Sequence, residues 1–371
     1  AHVSALPAET LETCDAIDVI CRFESSQTVL DLHEHFMANN TRERLAQIRS
    51  IAYRNCDGSI QLTDPRGRGE KIDTAAMGRP RWEDFPRAEM YHVFTAYGCP
   101  YRCSYCFNTT GFRFSTKPVE VILEELRVLI RERNMSEFTF ADATFAVDKQ
   151  HTTVLLQRMI EEGISQRVSW NCWTRVDKID RKLIGLMRSA GCQFISLGVE
   201  SGNDEVLRRA NKRTNRAQIA QAVRLVKGSG IHCNCFLVFG HIAETKANIE
   251  QTIDMTIGLN PDSVGVGVMT PWPGTEIWDL AVKGKEGFGL ISQDFSQFDK
   301  FFGTALRNEN VDLSTLEALR NRMYLHLYLR NHRYVDLIRF VWQLRRPILR
   351  KMMFFMKSRF RMPKGLTLRD G

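Results

Sequence analysis

Three cysteines stand together in Gly98-Cys99-Pro100-Tyr101-Arg102-Cys103-Ser104-Tyr105-Cys106-Phe107. The spacing is C-x3-C-x2-C, with an aromatic residue before the last cysteine. Thiolates are ligands for zinc and for iron–sulfur clusters, so sulfur this dense points to metal chemistry. A structural zinc or a storage cluster normally takes four protein ligands. Three cysteines on an iron–sulfur cubane leave one iron open to another ligand. Zinc with a distant fourth ligand, a redox or storage cluster, and buried cysteines without a metal are the competing readings. There are ten cysteines in 371 residues and the others are scattered, which fits a reducing compartment and not a disulfide scaffold. Cys172, Cys192, Cys233 and Cys235 invite a second cluster, but Cys233 and Cys235 share one strand face by period two. Burial as apolar-like side chains is expected for all four.

The elements that would position the cysteine loop are legible from Met90 onward. Apolar runs predict strands near His92–Tyr97, Glu137–Ala141, Val168–Cys172, Phe194–Val199, Cys233–Phe239 and Ser263–Met269. Amphipathic stretches predict helices over Pro118–Arg133, Asp148–Glu162, Asp180–Ala190, Asn215–Gly228 and Glu244–Gly258. This alternation implies an α/β fold with a parallel sheet and helical crossovers. It does not by itself separate an open sheet from a barrel. The cysteines follow the first strand, and ligand sites in parallel α/β folds form at the carboxyl ends of strands. After Phe288 the strand pattern stops, and residues 312–360 read as mostly helical.

Carried by its cysteine loop and the strand ends that follow, the chain resembles the radical S-adenosylmethionine (SAM) superfamily from about Met90 to Leu280. The resemblance implies a partial (β/α)6 TIM-like barrel. It also implies a [4Fe–4S] cluster on Cys99, Cys103 and Cys106, with SAM chelating the open iron. SAM would be cleaved to methionine and a 5′-deoxyadenosyl radical that takes hydrogen from an unactivated C–H. Residue by residue, Asp142 in Phe140-Ala141-Asp142-Ala143-Thr144-Phe145 falls in the loop that meets the SAM amino group, although the usual Gly-Gly-Glu is absent. A helix N-cap or loop role is the alternative. Arg175 in Trp173-Thr174-Arg175-Val176-Asp177 faces the SAM carboxylate, the substrate or a surface salt bridge. Glu200 and Ser201 in Gly198-Val199-Glu200-Ser201-Gly202 fall on the ribose motif. Gly240-His241-Ile242-Ala243-Glu244-Thr245 lacks the Pro-Gly common at the fifth strand, which puts its adenine contacts in doubt. Thr270-Pro271-Trp272-Pro273-Gly274-Thr275 matches the family's Pro-x-Pro-Gly-Thr turn and reads as scaffolding at the mouth.

The stretch Leu197-Gly198-Val199-Glu200-Ser201 with Asn211-Lys212 is similar to the cobalamin-linked and methylthiotransferase branches. His2–Thr10 reads as an extended, proline-containing stretch, and Val29–Met37 as an amphipathic helix. Ile51–Arg54 and Ser59–Leu62 read as a hairpin around Asn55-Cys56-Asp57-Gly58, and Asp64–Pro86 as a linker. Residues 1–88 thus resemble a remnant of a cobalamin-binding domain plus a hairpin linker, before a barrel at 89–288 and a basic helical extension at 289–371. The Asp-x-His-x-x-Gly segment that supplies the histidine below cobalt is missing, and His2 is not that residue. The chain begins with Ala and is expected to be the C-terminal part of a longer protein, or of a lineage that lost the domain. Cobalamin-linked C-methylation is the implied reaction. Oxidative cyclisation, methylthiolation and a non-catalytic Fe–S electron carrier are the alternatives. The helical, basic end argues against methylthiotransferases, which carry extra N-terminal cysteines and a β domain after the barrel.

Residues 320–371 hold 14 Lys/Arg against 2 Asp/Glu, a net +12, so the preceding residues carry −4 of the overall +8. The basic character lies outside the chemistry-bearing segment, which weakens a nucleic-acid reading. Tyr324, Phe340, Trp342, Met352, Phe354 and Phe355 interleave with arginine in Arg320–Arg361. Such a stretch either packs on the barrel or lies on an anionic membrane. No run is long and apolar enough for a transmembrane helix. The expected partners are a small-molecule substrate (lipid, isoprenoid or tetrapyrrole) and an electron donor such as flavodoxin or ferredoxin. The expected location is cytoplasmic, with a peripheral place at the inner membrane surface if the tail binds lipid.

Overall fold

Beyond Met90 the apolar runs form strands β1 (Tyr91–Val93), β2 (Glu137–Phe140), β3 (Ser169–Arg175), β4 (Cys192–Glu200), β5 (His232–Phe239) and β6 (Ser263–Val268). Helices α1 (Val119–Arg133), α2 (Lys149–Glu161), α3 (Arg181–Ser189), α4 (Arg216–Gly228) and α5 (Lys246–Leu259) alternate with them. The helix starts follow from local chemistry. Asp148 and Asp180 accept backbone N–H bonds at the N-caps of α2 and α3, and Asn215–Gln218 and Thr245–Asn248 form capping boxes at α4 and α5.

All six strands are parallel and lie in the order β6-β5-β4-β3-β2-β1. Each strand sits beside its chain neighbour, so every crossover runs in the same sense. Right-handed crossovers then place the helices on one face. Consecutive helices from α1 to α5 accordingly touch one another. No pairing joins β1 to β6, so this is the open, partial form of a (β/α)6 barrel. A layer of buried rings, Phe138, Phe140, Phe145 and Trp170, packs with centroids 4.8–5.4 Å apart, and Trp170 Nε1 donates to the Ala190 carbonyl. Cys172, Cys192, Cys233 and Cys235 are buried, as their positions in the sequence imply.

The computed structural model describes residues 2–38, 41–67, 70–295, 298 and 305–342. They fall into two compact units divided after Arg320. In the first unit, Val19–Cys21, Ile51–Arg54 and Ile60–Leu62 form an antiparallel sheet, with the last two joined as the expected hairpin. Residues His2–Ala5 and Pro7–Thr13 are helices, not extended chain. Pro7 sits at a first helical position, where its missing N–H costs nothing, and Leu11 buries against Ile20 and Ala52. The segment Asp64–Pro86 contains short helical turns at Thr74–Met77 and Trp82–Asp84. Trp82 Nε1 donates to Glu125, which is paired at 2.7 Å with Lys117, tying this segment to α1. A strand pair, Phe288–Leu290 with Leu306–Asn308, continues β structure beyond the point where the sequence pattern ends.

A helix spans Leu313–Arg330. Within the second unit, residues 334–342 are helical, and Phe340 stacks on Tyr324 and lies tilted against Tyr328. Met352, Phe354, Phe355 and Arg361 of the basic stretch lie outside the described residues. Among the described residues no helix is long and apolar enough to cross a membrane.

Candidate active site

After β1, residues Ala96–Gly98 pair antiparallel with Phe114–Thr116, closing a hairpin around the cysteine loop. Gly98 precedes Cys99 with φ +83°, and a Cβ there would stand 1.9 Å from the Arg113 carbonyl oxygen, so only glycine fits. Asn108 pins the loop by donating to the Cys99 carbonyl and accepting from Thr110. Ser104 N donates to the Ala210 carbonyl at 3.1 Å, and Ile277 N donates to the Ser104 carbonyl at 3.3 Å. The loop is also clasped from the N-terminal segment. Phe23 stacks on Phe107, and Glu24 pairs with buried Arg113 at 3.0 Å. Gly274 of the turn after β6 lies against the Phe107 ring, where a Cβ would come within 2.6 Å.

All three cysteines face one cavity of about 510 Å³. It lies at the carboxyl ends of the strands. Phe94, Tyr97, Tyr101, Trp173 and Phe236 make its wall largely aromatic. Phe94 and Trp173 are partly exposed at the rim. The polar groups of the wall include Arg175, Glu200 and Lys212. Glu200 ends β4 at φ +67°, where the β4–β5 register shifts by one residue. A bulge of this kind re-aims a side chain. Glu200 Oε1 accepts from Lys212 Nζ at 2.7 Å, with both side chains buried. Gly198 leaves room for that pair, since a Cβ there would be 2.9 Å from both charged atoms. Arg175 pairs with Asp177 at 2.8 Å, and its guanidinium lies 3.8 Å over the Tyr101 ring centre.

The donor set fits an iron–sulfur cubane. Three thiols of one loop face one cavity, and thiolates are the ligands such clusters take. Burial pushes the Cys103 thiol up, with Lys212 and Arg175 opposing, and burial with the neighbouring Cys103 and Cys99 pushes Cys106 up to about 12. Burial disfavours the thiolate at Cys103 and Cys106, so their arrangement suits a ligand that supplies positive charge. No further cysteine is among the residues lining the cavity, which leaves the donor set at three.

The candidate residues named from the sequence separate in space. Cys99, Cys103, Cys106, Arg175 and Glu200 line the cavity; Asp142 and Ser201 do not. Asp142 points inward, accepting from the Thr95 and Ala96 amides at 2.7 and 3.2 Å and from the Thr95 hydroxyl. Burial pushes its carboxyl up to about 6. Ser201 is buried against Thr252 at 3.2 Å, and Glu244, held by the Gly240 and His241 amides, is pushed up by burial to about 7. The sequence marks Lys212 only as part of the Asn211-Lys212 resemblance and assigns it no role; it lies just beyond the short helix Asp204–Arg209. It also passed over His241, a buried imidazole edge-on to Tyr105, pushed down to about 4 by burial.

Residues 93–256 match the radical SAM superfamily. An uncharacterized methyltransferase of Pyrococcus horikoshii is 25% identical over 89% of this chain and 71% of its own length. The anaerobic magnesium-protoporphyrin IX monomethyl ester cyclase of Cereibacter sphaeroides is 26% identical over 75% of this chain and 47% of its own length, so the chain spans about half of that relative. The radical SAM methyltransferase TsrM of Kitasatospora setae, solved with cobalamin and a [4Fe–4S] cluster bound, superposes with a TM-score of 0.69. It is 15% identical over 88% of this chain and 70% of that one, a likeness of fold.

Proposed function

The chain is a radical SAM enzyme, and from that premise we propose that Cys99, Cys103 and Cys106 hold a [4Fe–4S] cluster that binds SAM at its fourth iron, for cobalamin-linked methylation of an unactivated carbon. The observation that carries this reading is three cysteines of one loop turned into a single cavity at the carboxyl ends of a parallel sheet. When bound, the cluster and SAM supply one-electron cleavage of a C–S bond and a radical able to take hydrogen from carbon. The chain's own residues do the rest. Glu200, its charge balanced by Lys212, accepts from ribose hydroxyls. Asp142 holds the Thr95 and Ala96 amides and so sets where the cysteine loop departs from β1. Ser201, with Thr252, ties the end of β4 to α5. The aromatic wall excludes water and receives an apolar substrate.

The test is anaerobic reconstitution with iron and sulfide, then assay of 5′-deoxyadenosine from SAM with dithionite. Activity lost in Cys99→Ala, Cys103→Ala and Cys106→Ala is expected. A cluster-loaded chain that releases no 5′-deoxyadenosine would instead support an electron carrier. Oxidative cyclisation of a tetrapyrrole is the second reading, favoured by the cyclase relative and by the ring-lined wall. The product separates the two: methylation adds a carbon that comes from SAM, whereas cyclisation closes a new ring with no added carbon. The electron donor is a small redox protein such as flavodoxin or ferredoxin. Exposed Val335, Ile338, Val341 and Trp342 in the basic tail support contact with an anionic membrane surface. Flotation with anionic liposomes tests it, and protein left at the bottom of the gradient counts against it.

A further inference from the structure

Arg175 is buried at the end of β3, and its guanidinium is held on three sides. Nε donates to Asp177 Oδ1 at 2.8 Å. Nη2 donates to the Lys212 carbonyl, and the plane lies 3.8 Å over the Tyr101 ring. The other arm, Nη1, stands 4.0 Å from Cys103 Sγ. These contacts use three of the five guanidinium N–H donors and fix the plane of the group. They also leave a cation that cannot lose its proton beside one sulfur of the cysteine loop. The nearby Lys212 is balanced by Glu200, so Arg175 is the cationic side chain aimed at sulfur here.

We infer that Arg175 is a positioning residue that raises the reduction potential of the cluster through Cys103. This rests on the cluster assignment above. Reduction adds one electron, and so one negative charge, to the cluster. A fixed positive charge and an N–H at one of its sulfurs favour that reduced state, because hydrogen bonds to sulfur and local charge set cluster potentials. Burial keeps the interaction from being screened by water. Asp177 opposes it by placing a negative charge against the same guanidinium. Tyr101 and the Lys212 carbonyl hold the plane in register with the sulfur.

The experiment is a dithionite titration of the reconstituted 371-residue chain, followed by the electron paramagnetic resonance signal of the reduced cluster. Iron and sulfide contents are measured on every variant. Arg175→Gln is expected to lower the reduced-to-oxidised ratio at a fixed poise about tenfold, about 59 mV for one electron. Asp177→Asn, which keeps the guanidinium and removes its counter-charge, shifts the midpoint the other way. Arg175→Lys falls between the wild type and Arg175→Gln. Should Arg175→Gln fail to take up iron, the opposed shifts of Arg175→Lys and Asp177→Asn decide the matter. Midpoints that do not move, or that move in the same direction in both, overturn the inference, because a merely structural role would loosen the site alike in each. A wild-type chain that takes up no iron refutes the cluster assignment instead.

Discussion

Removing one partner of the Glu200–Lys212 pair is the sharpest test of how this site is built. Both side chains are buried, 8% and 6% exposed, and meet at 2.7 Å. Lys212→Met leaves a buried carboxylate without its counter-charge. Losing one partner of a buried pair costs about 3–5 kcal/mol, against about 0–1 for an exposed pair. Unfolding entropy near about 2.1 cal/mol/K per residue, over the unit ending at Arg320, converts that to a fall in Tm of about 4–7 °C. The double variant Glu200→Gln/Lys212→Met removes both charges at similar volume, and most of the loss returns. The assay is thermal unfolding of the apo chain by circular dichroism, which keeps cofactor binding out of the measurement. Single variants costing under about 1 kcal/mol, or a double variant equal to the sum of the singles, would refute a buried, coupled pair.

Gly98→Ala forces a side chain into the Arg113 carbonyl at a positive φ, so iron uptake on reconstitution is expected to fail while far-ultraviolet dichroism persists. Trp170→Ala empties the ring layer and is expected to cost about 3–5 kcal/mol by denaturant titration, without changing the number of irons bound. Glu244 and Asp142 carry carboxyls raised by burial to about 7 and about 6. The native state therefore keeps protons that the unfolded chain has lost between their ordinary values and these. Their contribution to stability is present at low pH and is lost as pH rises through about 6 to 7. Glu244→Gln should flatten that decline in a pH series of Tm, and an unchanged slope would count against the buried acid.

The order of residues along the chain dictates the alternation of strands and helices, because both rest on short-range signals. Asp148, Asp180, Asn215 and Thr245 cap their helices with their own side chains, and the apolar runs of β2 to β6 need only their own residues to be recognised. It also placed the cysteine loop after the first strand, since spacing is a local property. His2–Thr13 escaped it because helix formation there depends on Leu11 burying against Ile20 and Ala52, which are distant in the chain. The strand pair at Phe288–Leu290 and Leu306–Asn308 escaped for the same reason. Tertiary structure alone decided which polar residues meet the cavity. Register and one bulge turn Glu200 toward Lys212, and the end of β3 brings Arg175 to Cys103 across 72 positions of chain. Asp142, next to a strand end of equal promise in the sequence, turns inward to the Thr95 and Ala96 amides. A strand end announces that a site is near, but the direction of each side chain is set by pairing and packing with residues far away in sequence.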